Sequence, residues 1–262
     1  MAVRGRLRVL LGAAPGVGKT YAMLDEGKHL RAGGSDVVIA VVETHGRAAT
    51  AAMTEGMEVV PRHYVECRGI ELPEMDLDEV LARHPDVALV DELAHTNAPG
   101  SRNEKRWQDV EELLEAGIDV ISTVNIQHIE SLNDVVEQIT GVPQRETVPD
   151  TVLRRASQVE VVDLAPQALR DRLSSGKVYP AERIDAALSN YFRLGNLTAL
   201  RELALLWVAD EVDHALADYR SEHGIDSRWE ARERVVVALT GGREGETLLR
   251  RGARIAVRAG GG

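Results

Sequence analysis

Val9-Leu10-Leu11-Gly12-Ala13-Ala14-Pro15-Gly16-Val17-Gly18-Lys19-Thr20 decides the fold. The apolar start reads as a strand, the middle as a glycine-rich loop, and the end as the opening of a helix. Gly16 and Gly18 permit backbone conformations that side chains disfavour. The loop N–H groups therefore converge on a concave anion site, reinforced by the positive end of the following helix. Ala13, Ala14, Pro15, Gly16, Val17, Gly18, Lys19 and Thr20 follow the Walker A pattern G-x-x-x-x-G-K-[ST], with Ala13 in the place of the first glycine and Gly12 beside it. Lys19 supplies a point charge for the outer phosphates. Thr20 supplies a hydroxyl ligand for Mg²⁺, so a phosphate-bearing nucleotide with Mg²⁺ is the expected ligand.

Around this segment, apolar runs alternate with helical patterns. Arg6–Leu11 reads as a strand, and a helix is expected from Gly18 to about Arg31, stopped by Gly33-Gly34. Further strands are expected at Val37–Val42, Val87–Val90, Ile118–Val124 and Val159–Asp163, and a short strand or hairpin within Val59–Pro73. Helices are expected at Arg47–Glu55, Leu77–Arg83, Glu104–Ala116 and Glu130–Thr140. Continuous β-branched runs between helices imply an α/β fold, with a parallel sheet covered by helices on both faces. After Pro166 the pattern becomes helical, over Gln167–Ser174, Ala181–Tyr191 and Leu197–Tyr219. Ser221–Glu233 reads as a linker, Val235–Leu239 as one more strand, and Thr247–Ala259 as a helix. The expected organisation is a P-loop nucleotide-binding domain over 1–165, a helical extension over 166–220, a linker over 221–233, and the opening βα unit of a second α/β domain over 234–262.

A P-loop needs a carboxylate to help hold Mg²⁺. Asp91 stands at the end of the strand Val87–Val90, in the Walker B position, beside Thr20 as the second metal ligand. Glu92 follows it and is placed to orient or deprotonate a water attacking the γ-phosphate. Ligands of parallel sheets lie beyond the strands' carboxyl ends. Asn125 or Thr123, ending the strand Ile118–Val124, is placed to sense the γ-phosphate, or else to cap the next helix. Glu43-Thr44-His45-Gly46-Arg47 ends another strand, where Arg47 could contact phosphate or a partner, although a lone arginine there is more often solvated. The polar stretch Ala94–Arg106, with Arg102 and Lys105, reads as a mobile loop responding to nucleotide state.

The 262 residues carry a net charge of −11 with 28% charged and 44% hydrophobic residues, which argues against a free nucleic-acid-binding surface. No apolar run approaches the ~20 residues of a membrane span, so no direct membrane insertion is expected. Cys67, the single cysteine, excludes an internal disulfide and a cysteine-based zinc site. The eight histidines lack metal-ligand spacing, and none precedes an acidic residue as a phospho-accepting histidine usually does; they read as hydrogen-bonding residues.

Four segments together resemble the N-terminal cytoplasmic region of the KdpD family, bacterial sensor histidine kinases for potassium and osmotic stress. They are Gly12–Thr20, Val42–Arg47, Leu89–Asn97 and Thr123–Leu132, and Gly176–Tyr179 and Phe192–Leu205 are similar to the same region. The resemblance covers about Arg4–Asp218, and Gly224 onward is similar to the start of the universal-stress-protein-like domain that follows in the family. It implies an ATP-binding regulatory module in the cytoplasm, at the inner face of the membrane when joined to the rest of a sensor kinase. Its partners would be the kinase's other domains and, indirectly, a response regulator, with homodimerisation through domains outside this chain. The sequence matches no histidine-phosphoacceptor or kinase ATPase domain, so any activity of its own would be slow ATP hydrolysis or phosphoryl transfer. The alternative is a free-standing P-loop ATPase or small-molecule kinase, for which no second-substrate pocket is evident.

Overall fold

The computed structural model describes residues 3–175, 191–225 and 245–258. It contains two compact units, Met1–Glu211 and Val212–Gly262. The first unit is built on a six-stranded sheet in which every neighbouring pair is parallel. Its strands are β1 (Leu7–Gly12), β2 (Val37–Val41), β3 (Glu58–Val59), β6 (Val87–Val90), β7 (Asp119–Asn125) and β8 (Gln158–Val162), in the order β3-β2-β6-β7-β1-β8. The α/β expectation is met. The segment 59–73 resolves into β3 and a separate antiparallel hairpin, β4 (His63–Cys67) with β5 (Ile70–Glu74).

Alternating side chains of β1 show why both faces are covered. Leu7, Val9 and Leu11 join one buried cluster with Val110, Leu113 and Leu114 of α4 (Arg106–Glu115). Leu10 joins another with Met23 and Leu24 of α1 (Lys19–Ala32). The α4 face also receives α3 (Leu77–Arg83), α5 (Asn133–Thr140), α6 (Asp150–Arg154) and the long helix Leu194–Glu222 through Leu200, Ala204 and Trp207. A helix α2 (Ala48–Thr54) follows β2, and α7 (Pro166–Ser174) follows β8. Gly27 of α1 is a close-packing position, where a Cβ would lie 2.5 Å from Leu89 Cδ1.

Three local features go beyond the sequence reading. The expected helix over Glu130–Thr140 is preceded by two 3₁₀ turns, Ile126–His128 and Glu130–Leu132, because Ile126 and Ile129 are drawn fully into the core and Ile129 bridges to Val148. Helix α6 is too short to show periodicity; Asp150 opens it after Pro149, and Val152 and Leu153 bury it. The stretch Ala94–Arg106, polar enough to read as a mobile loop, uses its polar groups internally. Asn97 and Arg106 backbone N–H groups donate to the carbonyls of Glu104 and His95, and Asn97 Nδ2 donates to Asp109 at 2.7 Å.

In the second unit the long helix ends at Glu222, and a further helix spans Gly245–Arg258. The expected helix Ala181–Tyr191, apart from Tyr191, the strand Val235–Leu239 and most of the linker lie outside the described residues. Among the described residues no helix is long and apolar enough to cross a membrane.

Candidate functional site

The strand order places β7 between β1 and β6. The loop after β1, the tip of β7 and the residue ending β6 therefore converge at one carboxyl edge of the sheet, where parallel sheets bind ligands. Loop 13–18 is tightly turned, with Gly16 at φ 92° and Gly18 at φ 115°, values that favour glycine strongly. Gly12 is needed for a different reason: a Cβ there would lie 2.6 Å from Val17 Cγ2 and 2.9 Å from Lys19 Cδ. Ala13, Ala14 and Val17 are buried, whereas Pro15 and Gly16 form the half-buried rim. Helix α1 starts at Lys19 with no side-chain cap and no acidic residue in its first turn. Its leading N–H groups and positive dipole end thus face the loop with no acidic side chain of its own first turn to offset them.

Lys19 is only 8% exposed, and its ammonium donates to Asn125 Oδ1. Among the described residues it makes no ion pair. Burial pulls its pKa down to about 8, against the opposing pull of Asp91 and Glu92. A buried lysine at a helix N-terminus beside glycine N–H groups is a site short of negative charge.

Asp91 is 1% exposed and heavily hydrogen-bonded. Its Oδ1 accepts from Thr123 Oγ1 at 2.5 Å, and its Oδ2 accepts from Thr20 Oγ1 and the Glu43 N–H, each at 3.1 Å. Burial pushes its pKa up, opposed by the Thr123 hydrogen bond. Thr20 and Asp91 are two hard oxygen donors in contact, a pair suited to Mg²⁺, which takes few protein ligands and keeps its waters. Among the described residues no cluster of three or more His, Cys, Asp or Glu side chains forms a separate metal site.

Glu92 turns the chain off β6 in the left-handed region, at φ 56°. Such strain in a bulky residue persists only where its surroundings hold it. Its N–H donates to Thr123 Oγ1 at 3.1 Å. Its carboxylate accepts from His45 Nε2 at 2.9 Å, and His45 is itself left-handed at φ 49°. Burial would raise the Glu92 carboxyl, but the His45 hydrogen bond and the charges of His45, Arg106 and His95 hold it below the usual glutamate value. His45 is raised in return, chiefly by its bond to Glu92.

Beneath the site, Arg106 is fully buried at the start of α4. Its Nη1 donates to the Asp91 carbonyl at 3.0 Å and its Nη2 to Glu74 Oε2 at 3.3 Å. Glu74, at the end of β5, also accepts from His95 Nε2 at 3.1 Å and the Ala98 N–H at 2.7 Å. The hairpin and the loop after β6 are thereby tied to the backbone of Asp91.

The structure thus brings together Lys19, Thr20, Asp91, Glu92, Thr123 and Asn125. Arg102 and Lys105 are engaged elsewhere: Arg102 pairs with Asp78 at 2.7 Å, and Lys105 donates to Thr96 Oγ1 at 2.7 Å. His45, Glu74 and Arg106 are the participants that sequence reasoning missed. His45 carried a usable signal, its place at the carboxyl end of β2. Glu74 and Arg106 carried none, since nothing in a sequence pairs charges 32 positions apart.

The profile of the family described as "KdpD: Osmosensitive K+ channel His kinase sensor domain" matches residues 3–212. The chain belongs to this family. It is 66% identical to the sensor protein KdpD of Mycobacterium tuberculosis H37Rv over 253 residues, 97% of this chain and 29% of that protein. Identity to the sensor protein KdpD of Rathayibacter rathayi is 70% over 241 residues, 92% of this chain and 28% of that protein. Identity to the sensor protein KdpD of Escherichia coli K12 is 53% over 257 residues, 98% of this chain and 29% of that protein. The chain therefore spans under a third of the length of these KdpD relatives. The matched region contains the whole sheet and every residue of the candidate site.

Proposed function

We propose that this KdpD sensor-domain chain binds ATP with Mg²⁺ and serves as the nucleotide-dependent input module of a two-component sensor histidine kinase for potassium. The observation that carries the reading is Lys19, buried without a carboxylate partner among the described residues, at the uncapped start of α1 and behind a glycine-rich loop. Phosphates supply the missing negative charge, and few other ligands would satisfy the loop N–H groups, the helix dipole and the ammonium together. Thr20 Oγ1 and the Asp91 carboxylate would hold Mg²⁺, whose charge offsets that of the β- and γ-phosphates. Asn125 or Thr123, at the tip of β7, would sense the γ-phosphate. Glu92 is positioned as the general base for slow hydrolysis, accepting a proton from water at a carboxylate oxygen. Nucleotide state would reach the other domains of the kinase, and through them a response regulator, by way of Arg106 and Glu74 beneath Asp91. Those other domains would place the module at the inner face of the membrane.

Calorimetric titration with ATP and Mg²⁺ tests this reading on the wild type and Lys19→Ala. Saturable binding, weakened roughly tenfold or more in Lys19→Ala by loss of a charge-assisted contact, is expected. Equal binding by both proteins would overturn it.

A further inference from the structure

Loop 13–18 does not rest on the sheet alone. Ala14 and Val17 point into a third buried cluster, separate from the two beneath the sheet, formed with Leu169 and Leu173 of α7, Phe192, and Leu197 of the long helix. The outer wall of the candidate phosphate cradle is therefore made by residues more than 150 positions further along the chain. Leu169 and Leu173, one helical turn apart, face this cluster, and Arg172 projects beside them. Its Nη1 donates to the Val17 carbonyl at 3.5 Å and lies 3.7 Å from where a Cβ on Gly18 would sit. Among the described residues Arg172 makes no ion pair. Two cations, Lys19 and Arg172, thus stand at the positive end of α1, whose first turn has no acidic residue. Asp91 and Glu92 offset only part of this positive charge, from the far side of Thr20. The arrangement becomes favourable once an anion occupies the loop.

We propose that Arg172 is the helical extension's contribution to the phosphate cradle. It adds a second positive charge at the Val17–Gly18 turn that leads into α1, so nucleotide affinity depends on the extension being docked. The dependence is reciprocal, because a nucleotide bound more tightly by the docked form must itself favour docking. The inference rests on the nucleotide-binding reading above and assigns it a regulatory contact.

The experiment is ATP–Mg²⁺ titration of the wild type, Arg172→Ala and Arg172→Lys, with thermal melting of each protein free of nucleotide. Arg172→Ala should weaken ATP binding roughly tenfold, and Arg172→Lys should restore most of it. The nucleotide-free melting temperature of Arg172→Ala should stay level or rise, since like charges are relieved, whereas a purely structural arginine would lower it. Wild-type affinity in Arg172→Ala would overturn the inference while leaving nucleotide binding intact. Parallel loss of affinity and melting temperature, without rescue by lysine, would also overturn it. Absence of ATP binding in the wild type would overturn the nucleotide reading itself, and this inference with it.

Discussion

Thr20 Oγ1 donates to Asp91 Oδ2 at 3.1 Å, joining residues 71 positions apart. One opens α1 and the other ends β6, and they meet because β7 alone separates β1 from β6 in the sheet. The contact places a hydroxyl and a carboxylate side by side at the mouth of the glycine loop, two hard oxygen donors of the kind that suit Mg²⁺. Asn125, at the tip of the intervening β7, takes the Lys19 ammonium from the same edge. Sheet order is therefore what turns a loop and two strand ends into one site.

Glu92→Gln separates binding from chemistry. The amide oxygen can still accept from His45 Nε2, so the turn after β6 keeps its anchor. ATP affinity should change little, while phosphate release should fall about 100-fold or more, the usual worth of a general base. An unchanged rate of phosphate release would remove Glu92 from the chemistry.

The His45–Glu92 pair predicts a pH dependence of stability. The folded pKa of His45 lies above its ordinary value of 6.5, chiefly through its hydrogen bond to Glu92, with Glu43 adding to the rise and Arg47 opposing it. A raised histidine contributes stability that is complete below the unfolded pKa and is lost as pH rises through the folded value. The melting temperature of the wild type should therefore exceed that of His45→Ala most clearly near pH 6, with the gap narrowing as the pH climbs above 7. A gap that widens with pH would contradict the pairing.

Arg106→Leu should be among the most damaging single changes. It leaves the nearly buried Glu74 without its guanidinium and removes the donor to the Asp91 carbonyl. Breaking one side of a buried ion pair costs about 3 kcal/mol or more. Urea denaturation should show a correspondingly lower midpoint, and a midpoint equal to that of the wild type would show that this pair does not support the site.

Gly5→Ala tests the fold away from the site. An added Cβ would fall 2.1 Å from the Ile118 carbonyl oxygen, and the Gly5 N–H already donates to the Leu114 carbonyl at 2.8 Å. Backbone pressing on backbone cannot be relieved by a rotamer change, so a loss of about 2 kcal/mol is expected. Chemical denaturation measures it directly; a loss below about 0.5 kcal/mol would mean that the entry into β1 yields easily.

Much of the architecture was legible because its signals are local. Leu77–Arg83 and Val87–Val90 have in the structure the bounds read from their patterns, one amphipathic and the other continuously apolar. The glycine loop was legible because its tight turn needs a positive φ at Gly16 and Gly18. Helix α6 and the 3₁₀ turns after β7 were not legible, since their lengths give no period and burial alone shapes them. In the loop 94–106 the polarity was legible but its partners were not, since Asn97 and Arg106 use their polar groups inside the protein.

By itself the sequence determined the alternation of strands and helices, the glycine loop with Lys19 and Thr20, and the acidic pair ending β6. Each of these follows from residues a few positions apart, within reach of propensity and spacing. Only the tertiary structure decided that Asn125 meets Lys19, that His45 holds Glu92, that Arg106 lies buried beneath Asp91, and that α7 closes the far wall of the loop. Those relationships depend on strand order and on which face each helix covers. They are set by burying two sides of one sheet at once, a collective condition that no short stretch of sequence expresses.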